Sequence, residues 1–148
     1  MPQSLTQLYS HTIFTTKNRH PFINQNIKFQ LYYYIIEILN SHNSPPMAIG
    51  GTEDHIHILH RLSKKHPPCK TIEKSKTQSS HWMKSKGIIN FYWQGGYGSF
   101  SVSPERIQII KNYIINQEEH HKKESFKEEY KKILKQYNIP INEKYLWD

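Results

Sequence analysis

Gly50-Gly51-Thr52-Glu53-Asp54-His55-Ile56-His57-Ile58-Leu59 is the stretch from which the rest of this chain can be read. A glycine and acidic cluster that reverses the chain leads into an apolar run in which two histidines are separated by one β-branched residue. Side chains alternate along a strand, so His55 and His57 share one face while Ile56 and Ile58 face the other. Their α-carbons then lie about 6.5 to 7 Å apart, within reach of one divalent cation. Paired histidines are also ordinary surface or hydrogen-bonded residues. A third ligand and a reacting group must therefore come from elsewhere.

Working outward, Met47–Gly50 predicts a short strand antiparallel to the histidine strand, His55–Leu62. Leu8–Thr16, dense in β-branched and aromatic residues, predicts the first strand. Ile27, Leu31, Ile35, Ile38 and Leu39 recur at helical spacing and place a helix over about Asn26–Ser41. A second helix is expected over Lys70–Lys86 and a fourth strand over Ser99–Val102. The order βαββαβ predicts an α+β, ferredoxin-like antiparallel sheet with both helices on one face and the histidines on the other, open face. Ser103-Pro104-Glu105 reads as the start of a further helix running to about His121, with Ser103 as N-cap. Ile107, Ile110 and Ile114 form its core stripe, and Tyr113 and Gln117, four residues apart, lie along its flank. Ser125-Phe126-Lys127-Glu128 is a capping box for a last helix to Tyr137.

The 148 residues suit one domain over 1–148. Twenty Lys and Arg against twelve Asp and Glu leave a net charge of +8, which makes polyanions the first partners to consider. Ten tyrosines among 13% aromatics suit unstacked bases. The single cysteine, Cys69, excludes an internal disulfide framework and a multi-cysteine zinc site. With neither a secretory leader nor an apolar run long enough to span a membrane, a cytoplasmic protein is expected.

The His55-Ile56-His57 element and Tyr113-Ile114-Ile115-Asn116-Gln117 are joined by two further segments, Tyr97-Gly98-Ser99-Phe100-Ser101-Val102-Ser103 and Tyr145-Leu146-Trp147-Asp148. With these in this order, the chain resembles the single-strand DNA transposases of the IS200/IS605 type and their REP-associated relatives. The resemblance implies that His55, His57 and Gln117 ligate one Mg²⁺ or Mn²⁺ and that Tyr113, on a C-terminal helix, is the nucleophile. It also implies cleavage and rejoining of single-stranded DNA at hairpin-marked ends through a 5′-phosphotyrosine. With one such tyrosine per chain, two strand exchanges need a homodimer, whose sites the resembled family often shares between subunits. His121, one turn beyond Gln117, competes with it as a ligand, and Glu53 or Asp54 is placed to support the histidines.

Candidate phosphate contacts are Lys17, Arg19, Arg61, Lys84 and Lys86. Tyr92, Trp93 and Tyr97 are candidates for base stacking. Two other readings compete: a non-catalytic ferredoxin-like nucleic-acid-binding protein, which would need aromatics where this sheet carries histidines, and a rolling-circle nicking endonuclease, which shares the histidine element but is usually larger.

Overall fold

The structure is a computed structural model and describes residues 2–148. Strands β1 (Tyr9–Thr15), β2 (Pro46–Gly51), β3 (His55–Arg61) and β4 (Gly98–Val102) form one sheet in the order β2-β3-β1-β4. All three pairings are antiparallel. Helix α1 (Lys28–Ser41) connects β1 to β2, and α2 (Pro68–Ser85) connects β3 to β4. This is the expected ferredoxin-like core, with β1 and β3 central.

Alternation along the two central strands decides what each face holds. Phe14, Ile56 and Ile58 pack against Leu31, Ile35 and Leu39 of α1, Ile72 and Met83 of α2, and Phe91 and Trp93 of the loop before β4. Each such side chain contributes about 1.5–3 kcal/mol on burial. The same face carries a polar seam. His60 is buried with Nε2 2.8 Å from Thr12 Oγ1 and Nδ1 2.8 Å from Ser44 Oγ. The indole Nε1 of Trp93 donates to Ser79 Oγ at 2.9 Å, so these groups find the partners their burial demands.

The opposite face is not open, and here the sequence-based expectation is corrected. Register places His55 beside Thr15, His57 beside Ile13 and Leu59 beside His11, with Phe100 and Val102 completing the layer. That many apolar groups cannot be left to water, and three further helices roof them. Ile114, with Ile107 and Ile110, of α3 (Ile107–Ile115) packs on Leu59 and Val102. Phe126, Tyr130 and Leu134 of α5 (Phe126–Gln136) pack on Ile13 and Phe100, joined by Leu146 and Trp147.

The helix expected from Ser103 to His121 is divided. Pro104–Arg106 is a single 3₁₀ turn, Ser103 makes no side-chain cap, and α3 ends at Asn116 (φ −95°, ψ 21°). The short α4 (Gln117–His120) follows. Asn is a weak helix former that favours such breaks. Ser125 does cap α5, accepting from the Glu128 N–H at 3.2 Å, but its hydroxyl donates to the Glu128 carboxylate rather than the Glu128 side chain reaching back to the backbone. Gly50 brings α3 down onto the sheet: a Cβ there would sit 2.3 Å from the carbonyl oxygen of Ile114. Among the described residues, no helix is long and apolar enough to cross a membrane.

Candidate active site

Three elements meet beneath the roof helices. Strand β3 supplies His55 and His57, the α3–α4 segment supplies Tyr113, Gln117 and His121, and the first turn of α5 supplies Glu129. The ligand atoms of His55, His57, His121 and Glu129 all lie within 4.8 Å of one another. His55 Nε2 stands 3.0 Å from Gln117 Oε1.

Glu129 is the hub. Its Oε1 lies 3.2 Å from His57 Nε2 and 3.1 Å from His121 Nε2. Its Oε2 accepts the Tyr113 hydroxyl and, at 2.9 Å, the Gln117 amide. The carboxylate is only 2% exposed.

The far nitrogens of the two strand histidines are also held. His55 Nδ1 sits 2.7 Å from Asp54 Oδ1 and 3.0 Å from Thr52 Oγ1, so Nδ1–H can donate there and leave the Nε2 lone pair facing the cluster. His57 Nδ1 lies 2.8 Å from His11 Nε2, and in the tautomer whose Nδ1–H donates to His11 the His57 Nε2 lone pair faces the cluster in the same way.

Electrostatics follow from burial. Desolvation lowers His57 to about 4, against the pull of Glu129. It would raise Glu129, but hydrogen bonds from His121, His57 and Tyr113 outweigh it and hold the carboxyl far below the ordinary range. His121 is raised because the Glu129 hydrogen bond and charge overcome its partial burial. Tyr113 is pushed well above an ordinary phenol, first by burial and then by the Glu129 charge. Its ionisation therefore requires compensating positive charge close by. Imidazole nitrogens, a carboxylate and an amide oxygen form a donor set suited to a divalent cation.

The sequence-predicted residues divide clearly. His55, His57, Tyr113 and Gln117 come together within one chain, and His121 lies in the same cluster. Asp54 supports His55, while Glu53 contributes its backbone carbonyl to Ile23 N–H. Lys17 and Lys84 converge on the exposed ring of Tyr92, with Nζ 5.9 and 4.0 Å from its centroid. Arg19 lines a depression of about 580 Å³ that reaches His121 and Asp54.

The other predicted contacts lie apart. Arg61 ends β3 six residues beyond His55, about 20 Å along the strand. Lys86 lies over Trp82 and Tyr97 beside Lys76. Trp93 is corrected: it is buried against Phe14 and Phe91 and is not free to stack on a base.

Sequence reasoning missed Glu129 and His11. Glu129 had a signal, since it sits at i+3 from Phe126 and i−4 from Ile133, a charge inside the apolar stripe of α5. Such a residue is almost never buried without partners. A second opening of about 300 Å³ is lined by Tyr113, His11 and Glu129, with Arg106 and Lys132 also on its lining.

The family model for "Transposase IS200 like" matches residues 4–117. Among solved structures, a protein assigned as a transposase from Deinococcus radiodurans superposes with a TM-score of 0.62 at 22% identity. The match covers 79% of this chain and 98% of that one. A REP-associated tyrosine transposase bound to a REP hairpin superposes with a TM-score of 0.58 at 15% identity, covering 77% and 68% respectively. No curated protein sequence matches.

Proposed function

This chain belongs to the IS200-like transposase family, and on that premise we propose that it cleaves and rejoins single-stranded DNA with Tyr113 as the nucleophile. The observation that carries the reading is the hydrogen bond from the Tyr113 hydroxyl to Glu129, whose other oxygen faces His57 and His121.

In the proposed reaction the Tyr113 oxygen attacks a phosphodiester phosphorus. A bond from phosphorus to the phenolic oxygen forms and the bond to the 3′ oxygen breaks. The phenolic proton leaves along the hydrogen bond to Glu129 Oε2, and the departing 3′ oxygen ends protonated. The products are a 5′-phosphotyrosine and a free 3′-OH. Because one phosphoester replaces another, a second 3′-OH can reverse the step and join strands without an external energy source.

His55, His57 and Gln117, with His121 and Glu129 as further donors, would hold Mg²⁺ or Mn²⁺, whose charge would stabilise phosphate oxygens and a phenolate. Thr52, Asp54 and His11 orient the two strand imidazoles from behind. Lys17 and Lys84 at Tyr92, and Arg19 in the depression that reaches His121 and Asp54, suit phosphates and one stacked base, with Arg61, Lys86 and Tyr97 as more distant contacts. The fold's likeness to a protein solved with a REP hairpin supports a hairpin-bearing single strand as the partner. The protein acts in the cytoplasm as a homodimer, each subunit contributing a site built within its own chain.

The test is to incubate the protein with labelled single-stranded hairpin oligonucleotides and Mg²⁺ or Mn²⁺ and to look for a covalent adduct on a denaturing gel. The adduct is expected to vanish in Tyr113→Phe while DNA binding persists, and to vanish with EDTA and return with Mn²⁺. Adduct formation by the phenylalanine variant, or in EDTA, refutes the assignment.

A further inference from the structure

Glu129 is the one carboxylate that touches both the imidazole cluster and the phenol, and it does so with different oxygens. Oε1 faces His57 and His121. Oε2 takes the Tyr113 hydroxyl and the Gln117 amide, with His120 Nε2 at 3.5 Å. Neither oxygen must leave one set of partners to serve the other. The side chain is also held from its own helix: Phe126, three residues before it, and Tyr130, the next residue, stack with ring centroids 5.4 Å apart, and Trp147 packs on both. Ser125 caps the same turn.

We infer that Glu129, beyond taking the phenolic proton, couples cation occupancy to the placement of the Tyr113 phenol, through opposite oxygens of a single carboxylate. This rests on the reading of His55, His57 and Tyr113 given above. Charge at Oε1 and hydrogen bonding at Oε2 reinforce one another, since a donor fixed on Oε2 orients the whole carboxylate. Partners of this kind, one bond removed from a metal, typically contribute about 10–100-fold in affinity.

A double-mutant cycle on Mn²⁺ binding tests the coupling without reference to activity. Titration calorimetry would compare the full-length wild type, Tyr113→Phe, Glu129→Gln and the double variant, each checked for a cooperative thermal melt. Tyr113→Phe, which removes the hydroxyl bonded to Glu129 while keeping the ring that stands edge-on to His57, is expected to weaken Mn²⁺ binding about tenfold in the wild-type background. In the Glu129→Gln background the same change is expected to have less than a twofold effect. Glu129→Asp keeps the charge but is one methylene too short to span both sets, so it should retain most Mn²⁺ affinity while losing sensitivity to Tyr113→Phe.

An unchanged affinity in Tyr113→Phe, or an equal loss in both backgrounds, overturns the inference. If Glu129→Gln does not fold, the same cycle is read with Glu129→Asp as the second background. The adduct assay is a separate readout: an adduct without coupling refutes only this inference, and coupling without an adduct refutes only the proposed reaction.

Discussion

Replacing Gly50 with alanine adds one methyl group to an edge strand, yet it should impair the chemistry more than the fold. The new Cβ would lie 2.3 Å from the Ile114 carbonyl oxygen and 3.1 Å from its carbon, both backbone atoms that cannot rotate away. Restoring an ordinary contact of 3.4 Å takes a separation of 1.1 Å between β2 and α3. Gly50 pairs with His57 in the sheet, and Ile114 follows Tyr113, so whichever element yields, the phenol and the imidazoles move apart. Overpacking of this kind costs about 1–3 kcal/mol, which for a chain of this size lowers the melting temperature by about 2–12 °C. A misplacement near 1 Å costs about 10²-fold in rate. Gly50→Ala should therefore melt cooperatively a few degrees early and form the phosphotyrosine adduct about a hundredfold more slowly. Adduct formation within threefold of wild type, with an unchanged melt, would refute the claim that this glycine sets the depth of α3.

Three further outcomes are expected. Burial lowers His60 from 6.5 to about 4, so its contribution to stability is fully present above pH 6.5 and is lost as the pH falls toward 4. That loss amounts to about 3 kcal/mol from this group, and urea denaturation at several pH values should show a shallower slope over that window in His60→Asn; an identical slope counts against it. Ser125→Ala removes the cap of α5 and should cost about 1 kcal/mol, seen as faster amide exchange in the first turn around Glu128 and Glu129, and unaltered exchange would show that the cap is dispensable. Because Tyr113 meets the imidazoles of its own chain, mixed dimers of Tyr113→Phe and His55→Ala subunits should form no adduct, whereas recovered activity in verified heterodimers would show that sites are shared.

The sheet was legible because its information is local. Alternation through His55–Leu59 and helical spacing from Ile27 to Leu39 each follow from one short window, and β3 and α1 formed where those windows put them. The roof was harder to read. Nothing local says that Ile13, Leu59 and Phe100 will be covered by helices more than a dozen residues away, although their alternation did require some cover. The break at Asn116 escaped notice because the isoleucine spacing runs smoothly up to it. Tyr113 and Gln117 came from a motif, not from periodicity. Glu129 came from neither, since its partners lie up to 72 residues away and only its anomalous place in an apolar stripe marked it. The surface cations were least predictable: Lys17 and Lys84 gather on Tyr92 and Arg61 does not, because a solvated side chain is constrained by little beyond where its strand or helix happens to end.

Strand β3 runs between two filled compartments, greasy on one side and ionisable on the other. Sliding it by a single residue against β1 would exchange their contents, forcing His55 and His57 among the isoleucines of α1 and stranding Ile56 and Ile58 at Glu129. Proofreading of the pairing is thus built into the thermodynamics. A molecule misthreaded at this step should collapse instead of persisting as a well-folded decoy, so the population that survives purification is already the population able to react.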